Sequence, residues 1–106
     1  MARILFPYGY LAIIKKYLME RNRRCFTYRG LRVWLYKQKE YRDVEWHTVE
    51  RSIRELARLG FLERIEVGKR KVIFCWSAKA DEALERFERL HGYSLVLTAV
   101  VKEERK

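Results

Sequence analysis

The stretch from Val44 to Leu62, VEWHTVERSIRELARLGFL, constrains the fold of this chain more than any other. At about 100° per residue, its apolar residues fall on one narrow side of a helix and its basic residues on the other. The apolar side carries Val49, Ile53 and Leu56, and the basic side carries His47, Arg51, Arg54 and Arg58. Gly60 can then take the left-handed conformation that closes a helix. We therefore predict a helix over residues 45–59 that buries one side, exposes cations on the other and leads into a strand.

Two further helices are predicted upstream of this stretch. Apolar residues recur at helical spacing over residues 8–20 and again over residues 28–37. Thr27, a good N-cap residue, precedes the second of these helices, and Cys25–Phe26 before it is predicted to form a brief strand. Residues 38–44 are predicted to be a polar turn, which makes the second and third helices a helix-turn-helix pair.

A β-hairpin is predicted after Gly60. The β-rich runs 61–67 and 70–77 are joined at Gly68–Lys69, and glycine at the first central position fits a two-residue type II′ turn. In that register Ile65 opposes Val72. One face then carries Phe61, Ile65, Val72, Phe74 and Trp76. The exposed tip carries Lys69, Arg70 and Lys71.

A fourth helix is predicted over residues 79–91, with Ser77 as its cap, and a strand over residues 94–101. An exposed strand of that length is an aggregation hazard, so we expect residues 78–101 to be buried in a second copy of the chain, as a homodimer. Pairing of that strand with the arm 3–6 is the alternative. The whole chain, 1–106, is expected to be one domain with its core in residues 8–77.

The charge of the chain favours a polyanionic partner. It has 24 Lys and Arg against 14 Asp and Glu, a formal net charge of +10, which suits nucleic acid or an anionic membrane face. The longest apolar run, 93–101, is too short for a membrane span and no signal peptide is evident, so we expect a cytoplasmic protein with no membrane partner. Its one Gln and one Asn, with 36% charged residues, predict a thermophilic source, archaeal or archaeal-viral.

The residues that carry catalysis or bind metals are sparse. Cys25 and Cys75 are too few for a zinc site, which needs paired ligands. They are either two small buried hydrophobes, the interpretation we favour, or a disulfide of the kind found inside hyperthermophiles. His47 and His91 are isolated, and no glycine-rich phosphate loop exists. We expect no enzymatic activity, metal or cofactor, and no small-molecule ligand is evident.

Several features occur in the order seen in the winged helix-turn-helix DNA-binding family. They are Thr27 with Leu31 in helix 2; Thr48-Val49-Glu50-Arg51, Ile53, Leu56 and Leu59-Gly60-Phe61-Leu62 in helix 3 and its exit; and the hairpin VGKRKVIFCWS followed by a helix. Over residues 8–90 the chain thus resembles that family, and especially small archaeal or archaeal-virus transcriptional regulators. The resemblance implies an α+β winged helix-turn-helix fold with an additional C-terminal helix and strand. Glu45, where a small cap is usual, and the segment 94–101 depart from the pattern.

The resemblance also implies a function, namely a transcriptional regulator that binds double-stranded DNA. Helix 45–59 would enter the major groove, and the wing 67–71 would contact the backbone or the minor groove. The candidates for base contacts are His47, Thr48, Arg51 and Arg54. The candidates for phosphate contacts are Tyr28, Arg29, Arg58, Lys69, Arg70 and Lys71. In this architecture the strand before helix 2 pairs with the returning strand of the wing, which would bring Cys25 and Cys75 together.

Each of these expectations has an alternative. The arginine side of helix 3 is also explained as a solvated face held by ion pairs, because Arg51 with Glu55 and Glu50 with Arg54 have i,i+4 spacing. The charged hairpin tip is also explained as protection of an edge against aggregation. A second function is a winged-helix interaction module of a transcription or replication assembly, which binds an acidic protein surface or RNA without reading DNA.

Overall fold

The computed structural model describes residues 8–41 and 43–91, and within them the chain is α+β. Four α-helices and a three-stranded antiparallel sheet follow in the order α1 (Tyr8–Arg21), β1 (Cys25–Phe26), α2 (Tyr28–Lys37), α3 (Trp46–Arg58), β2 (Leu62–Glu66), β3 (Val72–Trp76) and α4 (Ala78–His91). One turn of 3-10 helix, Lys39–Tyr41, lies between α2 and α3. These bounds confirm the helices and strands predicted for this part of the chain. The predicted arm 3–6 and strand 94–101 lie outside the described residues.

Helix α1 lies at the centre of the core and is buried around most of its circumference. The sequence predicted one apolar face containing Tyr10, Ile13 and Leu18, but Leu11 and Ala12 are also almost fully buried. The extra buried side is explained by α4, which packs along α1. The buried residues of α4, Ala80 and Leu84, are therefore used inside this chain, whereas the predicted dimerisation role of residues 78–101 stays a prediction.

The start of α2 is fixed by its predicted cap. The Thr27 hydroxyl accepts a hydrogen bond of 3.1 Å from the Gly30 N–H, which satisfies one of the free donors at the helix start. Gly30 allows α1 and α2 to approach closely, because a Cβ at this position would lie 2.6 Å from the Tyr17 hydroxyl and that side chain would have to shift. The indole N–H of Trp34, which faces inward from α2, donates to Glu20 at 2.9 Å and links the end of α1 to α2.

The turn between α2 and α3 is less polar than predicted. Tyr41 is only 5% exposed, and its ring packs 6.2 Å from that of Trp34. Burial, with smaller contributions from Glu40 and Glu20, raises the pKa of Tyr41 to about 12. The turn therefore contributes the aromatic side chain of Tyr41 to the core.

Helix α3 ends as predicted and begins without a side-chain cap. Gly60 has φ 91°, its N–H donates to the Ala57 carbonyl, and the Phe61 N–H donates to the Leu56 carbonyl. This pair of bonds is the Schellman closure of a helix. At the other end Glu45 is the N-cap residue and its side chain makes no capping hydrogen bond.

The hairpin register differs by one residue from the prediction. Ile65 pairs with Ile73 rather than Val72, because Gly68, Lys69 and Arg70 form a three-residue connection instead of a two-residue turn. A shift of one residue reverses the face of every side chain on one strand relative to the other. The prediction that Phe61 and Ile65 share a face with Phe74 and Trp76 is therefore wrong. Leu62, opposite Trp76, is the buried residue of β2.

The base of the hairpin is the end at which β2 begins and β3 ends, and it is joined to the rest of the fold. Strand β1 pairs with β3 and brings Cys25 opposite Cys75, where the two form a disulfide. The interpretation as two separate buried hydrophobes is therefore wrong. Ser77, predicted to cap α4 through its side chain, instead donates its hydroxyl to the carbonyls of Gly60 and Phe61 at 2.8 and 2.9 Å. The start of α4 thereby holds the exit of α3.

Candidate nucleic-acid interface

The outer side of α3 is a basic surface backed by the core. Val49, Ile53 and Leu56 are buried on the inner side, together with Trp46 and Ser52, which the sequence pattern did not single out. His47, Arg51, Arg54 and Arg58 are exposed on the outer side. The Ser52 hydroxyl donates to the Thr48 carbonyl at 2.8 Å, so this one buried polar side chain of the helix is satisfied locally. Packing on the inner side fixes the direction in which the outer residues project.

Arg51 and Arg54 are the unpaired cations of this surface. Among residues 8–41 and 43–91, neither has a carboxylate oxygen within the 4.0 Å limit of an ion pair. The predicted i,i+4 pairs are replaced by i,i+3 pairs, because Glu50 lies 3.7 Å from His47 and Glu55 pairs with Arg58. The i,i+4 ion pairs expected for Arg51 and Arg54 are therefore not formed within the described residues. Both guanidinium groups retain all their donors for a ligand.

Arg58 differs from the other two arginines because it is engaged. Its Nε donates to Glu55 Oε2 at 2.8 Å, and its Nη2 contacts the same oxygen. This hydrogen bonding holds the pKa of Glu55 below its ordinary value and raises the pKa of Arg58. Both side chains are exposed, so the pair is easily exchanged for solvent or for a phosphate. Arg58 keeps its other donors, but the carboxylate of Glu55 neutralises its charge as long as the pair is made.

The start of α3 is adjacent to the start of α2. The half-buried ring of Tyr28 lies 6.4 Å from the Trp46 ring and 5.0 Å from the Phe74 ring, so Tyr28 ties both helix starts to β3. Its aromatic ring contributes to packing, whereas the next residue, Arg29, is exposed. At the start of α3 the Thr48 hydroxyl lies 3.4 Å from the Glu45 carboxylate and donates to it. The first turn of α2 thus carries an exposed basic residue, Arg29, and the first turn of the adjacent α3 carries the Thr48 hydroxyl.

Arg32 is a candidate contact that sequence reasoning missed. Its guanidinium lies 5.6 Å from the Trp46 ring and 5.7 Å from the Tyr36 ring, within the range of cation–π attraction. The side chain is exposed, and within the described part of the chain it has no carboxylate in ion-pair range. The i,i+4 spacing of Arg32 and Tyr36 was a usable signal, but the contact with Trp46 depends on how α2 and α3 pack. The two rings hold a cation in one place beside the start of α3.

The hairpin tip presents the second group of cations. Lys69, Arg70 and Lys71 are all exposed, as predicted. Gly68 has φ 145°, and Arg70 has φ 63°, the left-handed conformation that favours glycine or asparagine. The Val67 N–H donates to the Lys71 carbonyl at 3.0 Å and closes the loop. The chain therefore holds an arginine at a position where its backbone is strained.

Other kinds of evidence about function are few. Within residues 8–41 and 43–91, no helix combines the length and apolar character that a bilayer crossing requires. In the same ranges no three His, Cys, Asp or Glu side chains come together as metal ligands would. Comparison of the chain with protein-family models, with curated proteins and with solved structures found no match. The function must therefore be inferred from this chain's own charge and geometry.

Proposed function

We propose that this protein binds double-stranded DNA as a winged helix-turn-helix transcriptional regulator, with α3 in the major groove and the hairpin as the wing. The observation that carries the proposal is the pair Arg51 and Arg54, which are exposed and unpaired on the outer side of a helix whose inner side is core. The element order, with a helix pair joined by a short turn and then a hairpin with a cationic tip, supports the same assignment.

The geometry of α3 suits the major groove of DNA. An α-helix with side chains, about 10–12 Å across, matches a groove about 12 Å wide. Arg51 and Arg54 are three residues apart and so project from the same side of α3, where each guanidinium can donate two hydrogen bonds to guanine O6 and N7. His47 and Thr48 belong to the first turn of the helix, the part that approaches bases most closely.

The remaining cations suit the phosphates. Arg29 is exposed in the first turn of α2 and Arg32 lies beside Trp46 at the start of α3. The two rings beside Arg32 reduce the entropy that this side chain would lose on binding. Lys69, Arg70 and Lys71 would contact the backbone or the minor groove from the tip. Arg58 would join them after exchanging Glu55 for a phosphate. Homodimerisation through residues 78–101 remains part of the proposal; light scattering that gives the mass of one chain, 13.0 kDa, would exclude it.

Fluorescence anisotropy with labelled DNA tests the proposal. We expect wild-type protein to bind a duplex of about 20 base pairs at low salt, with an affinity that falls steeply as salt rises. Arg51→Ala/Arg54→Ala should weaken binding by about tenfold or more, since each arginine contact contributes roughly 1–3 kcal/mol. The matched control is Lys37→Ala/Lys39→Ala, which removes the same charge from two exposed positions outside both the proposed DNA surface and residues 78–101.

An RNA duplex of the same sequence separates the two candidate functions. The deep, narrow major groove of A-form RNA excludes an α-helix, so we expect much weaker binding to RNA than to DNA. Equal binding to both duplexes, or equal weakening by the control variant, would count against α3 reading the major groove and would favour the interaction-module alternative.

A further inference from the structure

A groove of about 430 Å³ lies at the base of the hairpin, on a part of the molecule that the proposed DNA surface does not use. It is formed by the second half of α1, the loop after it, the end of β3 and the first turn of α4. Its lining includes Lys15, Leu18, Met19, Arg23, Arg24 and Trp76. Its volume is in the range of sites that hold a small ligand or the anchoring side chains of a peptide.

The floor of the groove is apolar. Leu18 and Trp76 are largely buried there, whereas Met19 is 64% exposed, the highest value among the exposed large hydrophobic residues of the described chain. The Trp76 indole is fixed in place, because its N–H donates to Asp81 at 2.9 Å. Flexible methionine beside a fixed tryptophan is a combination enriched at protein interfaces. The floor therefore offers apolar surface that water alone covers poorly.

The rim of the groove is cationic. Lys15 and Arg23 have no carboxylate within the 4.0 Å ion-pair limit in residues 8–41 and 43–91. Arg24 is held in position, because its Nη2 donates to the Trp76 carbonyl at 3.1 Å, and its other donors remain available. The acidic residue of the lining, Asp81, already accepts from Trp76. Three cations therefore face one engaged carboxylate.

The groove lies at the opposite end of the hairpin from the tip. The backbone N–H of Trp76 donates to the Arg24 carbonyl, and Trp76 pairs with Leu62 at the base, whereas Val72 pairs with Glu66 next to the tip. Four residue steps along β3 separate these levels, or about 14 Å at roughly 3.4 Å per residue. A ligand in the groove and DNA on the tip would thus occupy different ends of the sheet.

We infer that this groove binds an acidic, amphipathic segment of a partner protein. The cationic rim complements carboxylates, and the floor of Leu18, Met19 and Trp76 accepts an apolar side chain between them. Nucleic acid complements the cationic rim but not the apolar floor, because the apolar thymine methyl groups of a duplex lie within the major groove, behind the phosphate backbone. The protein would then join DNA at one end to an acidic protein segment at the other.

Two labelled peptides of equal charge test this inference. The first is about twelve residues long, glutamate-rich, with leucines at the i, i+3 and i+7 spacing of a groove-binding helix. The second has serine in place of each leucine. By fluorescence anisotropy we expect the leucine peptide to bind at least about tenfold more tightly, because only it fills the apolar floor. Equal binding of the two peptides would show that only charge attracts them to the protein, and it would overturn the inference.

Matched variants locate the binding site. Met19→Ser and Arg23→Ser should each lower the affinity for the leucine peptide by about fivefold or more. Only Arg23→Ser should also reduce the dependence of that affinity on salt. The controls are Val33→Ser and Lys37→Ser, an exposed apolar residue and an exposed cation on α2. Equal weakening by the controls, or displacement of the peptide by saturating duplex DNA, would overturn the inference. The DNA proposal is measured without peptide, so either can fail while the other stands.

Discussion

The two ends of the hairpin β2–β3 are built for different purposes. At the base, Trp76 and Cys75 are buried, the disulfide joins β3 to β1, and Ser77 bonds to the exit of α3. At the tip, residues 68–71 are exposed, and an arginine occupies a left-handed position. The base fixes the position of the hairpin and the tip presents charge. Stability and DNA affinity should therefore respond to different substitutions.

The largest expected effect is loss of the disulfide at the base. The loop between Cys25 and Cys75 spans a sequence separation of 50 residues and contains α2, α3, β2 and most of β3. Cys25→Ala/Cys75→Ala should lower the free energy of unfolding by about 4 kcal/mol, from the entropy returned to the unfolded chain. Unfolding in guanidinium chloride measures this loss of free energy, and chemical reduction of the disulfide in the wild-type protein should produce the same loss. A loss under about 1 kcal/mol would show that the base is held without the bond.

The tip should show the opposite response. Lys69→Ala/Arg70→Ala/Lys71→Ala should reduce the slope of log affinity for DNA against log salt by up to about 2.7, or roughly 0.9 for each lost phosphate contact. The free energy of unfolding should stay within about 0.5 kcal/mol or rise, because these side chains touch nothing that packs. An unchanged slope would leave the tip with only a protective role against edge pairing.

Ser77 tests how the base holds α3. Ser77→Ala removes the donor to the carbonyls of Gly60 and Phe61 and should destabilise the protein by about 1 kcal/mol. Ser77→Thr keeps the hydroxyl and is the matched control. Thermal unfolding of the three proteins gives the comparison, and equal loss in both variants would assign the effect to packing at this position instead of to the hydrogen bonds.

Arg70 combines both responses in one residue. Arg70→Gly should stabilise the protein by about 1 kcal/mol, because glycine adopts φ 63° without strain, and should weaken DNA binding a few fold through the lost charge. Lys69→Gly is the control, since Lys69 is not among the positive-φ residues and glycine gains nothing there. Loss of stability in Arg70→Gly would mean that the arginine side chain packs in solution.

The smallest expected effect concerns Arg58. Glu55→Gln removes a negative charge from the helix proposed to contact DNA and releases Arg58, so affinity for DNA should rise about two- to threefold at low salt. The pKa of Glu55 lies below its ordinary value. The ion pair with Arg58 is therefore fully formed at any pH above the ordinary carboxyl pKa, and it is lost only as the pH falls through the lowered pKa of Glu55. A salt-independent gain would contradict an electrostatic origin.

The sequence predicted those parts of the fold that local chemistry decides. Thr27 and Gly60 marked helix ends because capping needs particular residue types at particular positions. The hairpin register was wrong because Gly68 suits both a two-residue and a three-residue connection, and a left-handed Arg70 leaves no mark in the sequence. The α+β class and the pairing of β1 with β3 were predicted correctly.

The site was predictable where helical phase alone determines exposure. Arg51, Arg54 and Arg58 are exposed as expected. Glu55, however, forms its ion pair with Arg58 and not with Arg51, because side-chain conformations that sequence spacing does not determine decide between the two partners. The position of Arg32 between Tyr36 and Trp46 and the burial of Tyr41 follow from how α2 meets α3. Such contacts between elements are beyond single-sequence periodicity.

The central claim is that α3 and the hairpin tip are the surface that meets DNA. Titration of ¹⁵N-labelled protein with duplex DNA at low salt, followed by amide chemical shifts, tests it most directly. The account predicts that the largest changes in amide chemical shift fall in residues 46–55 of α3, at the start of α2 and at residues 68–71. The amide shifts of residues 15–24 and of α4 should change little. Shifts confined to α1 and α4, or no shift at any DNA concentration, would contradict it.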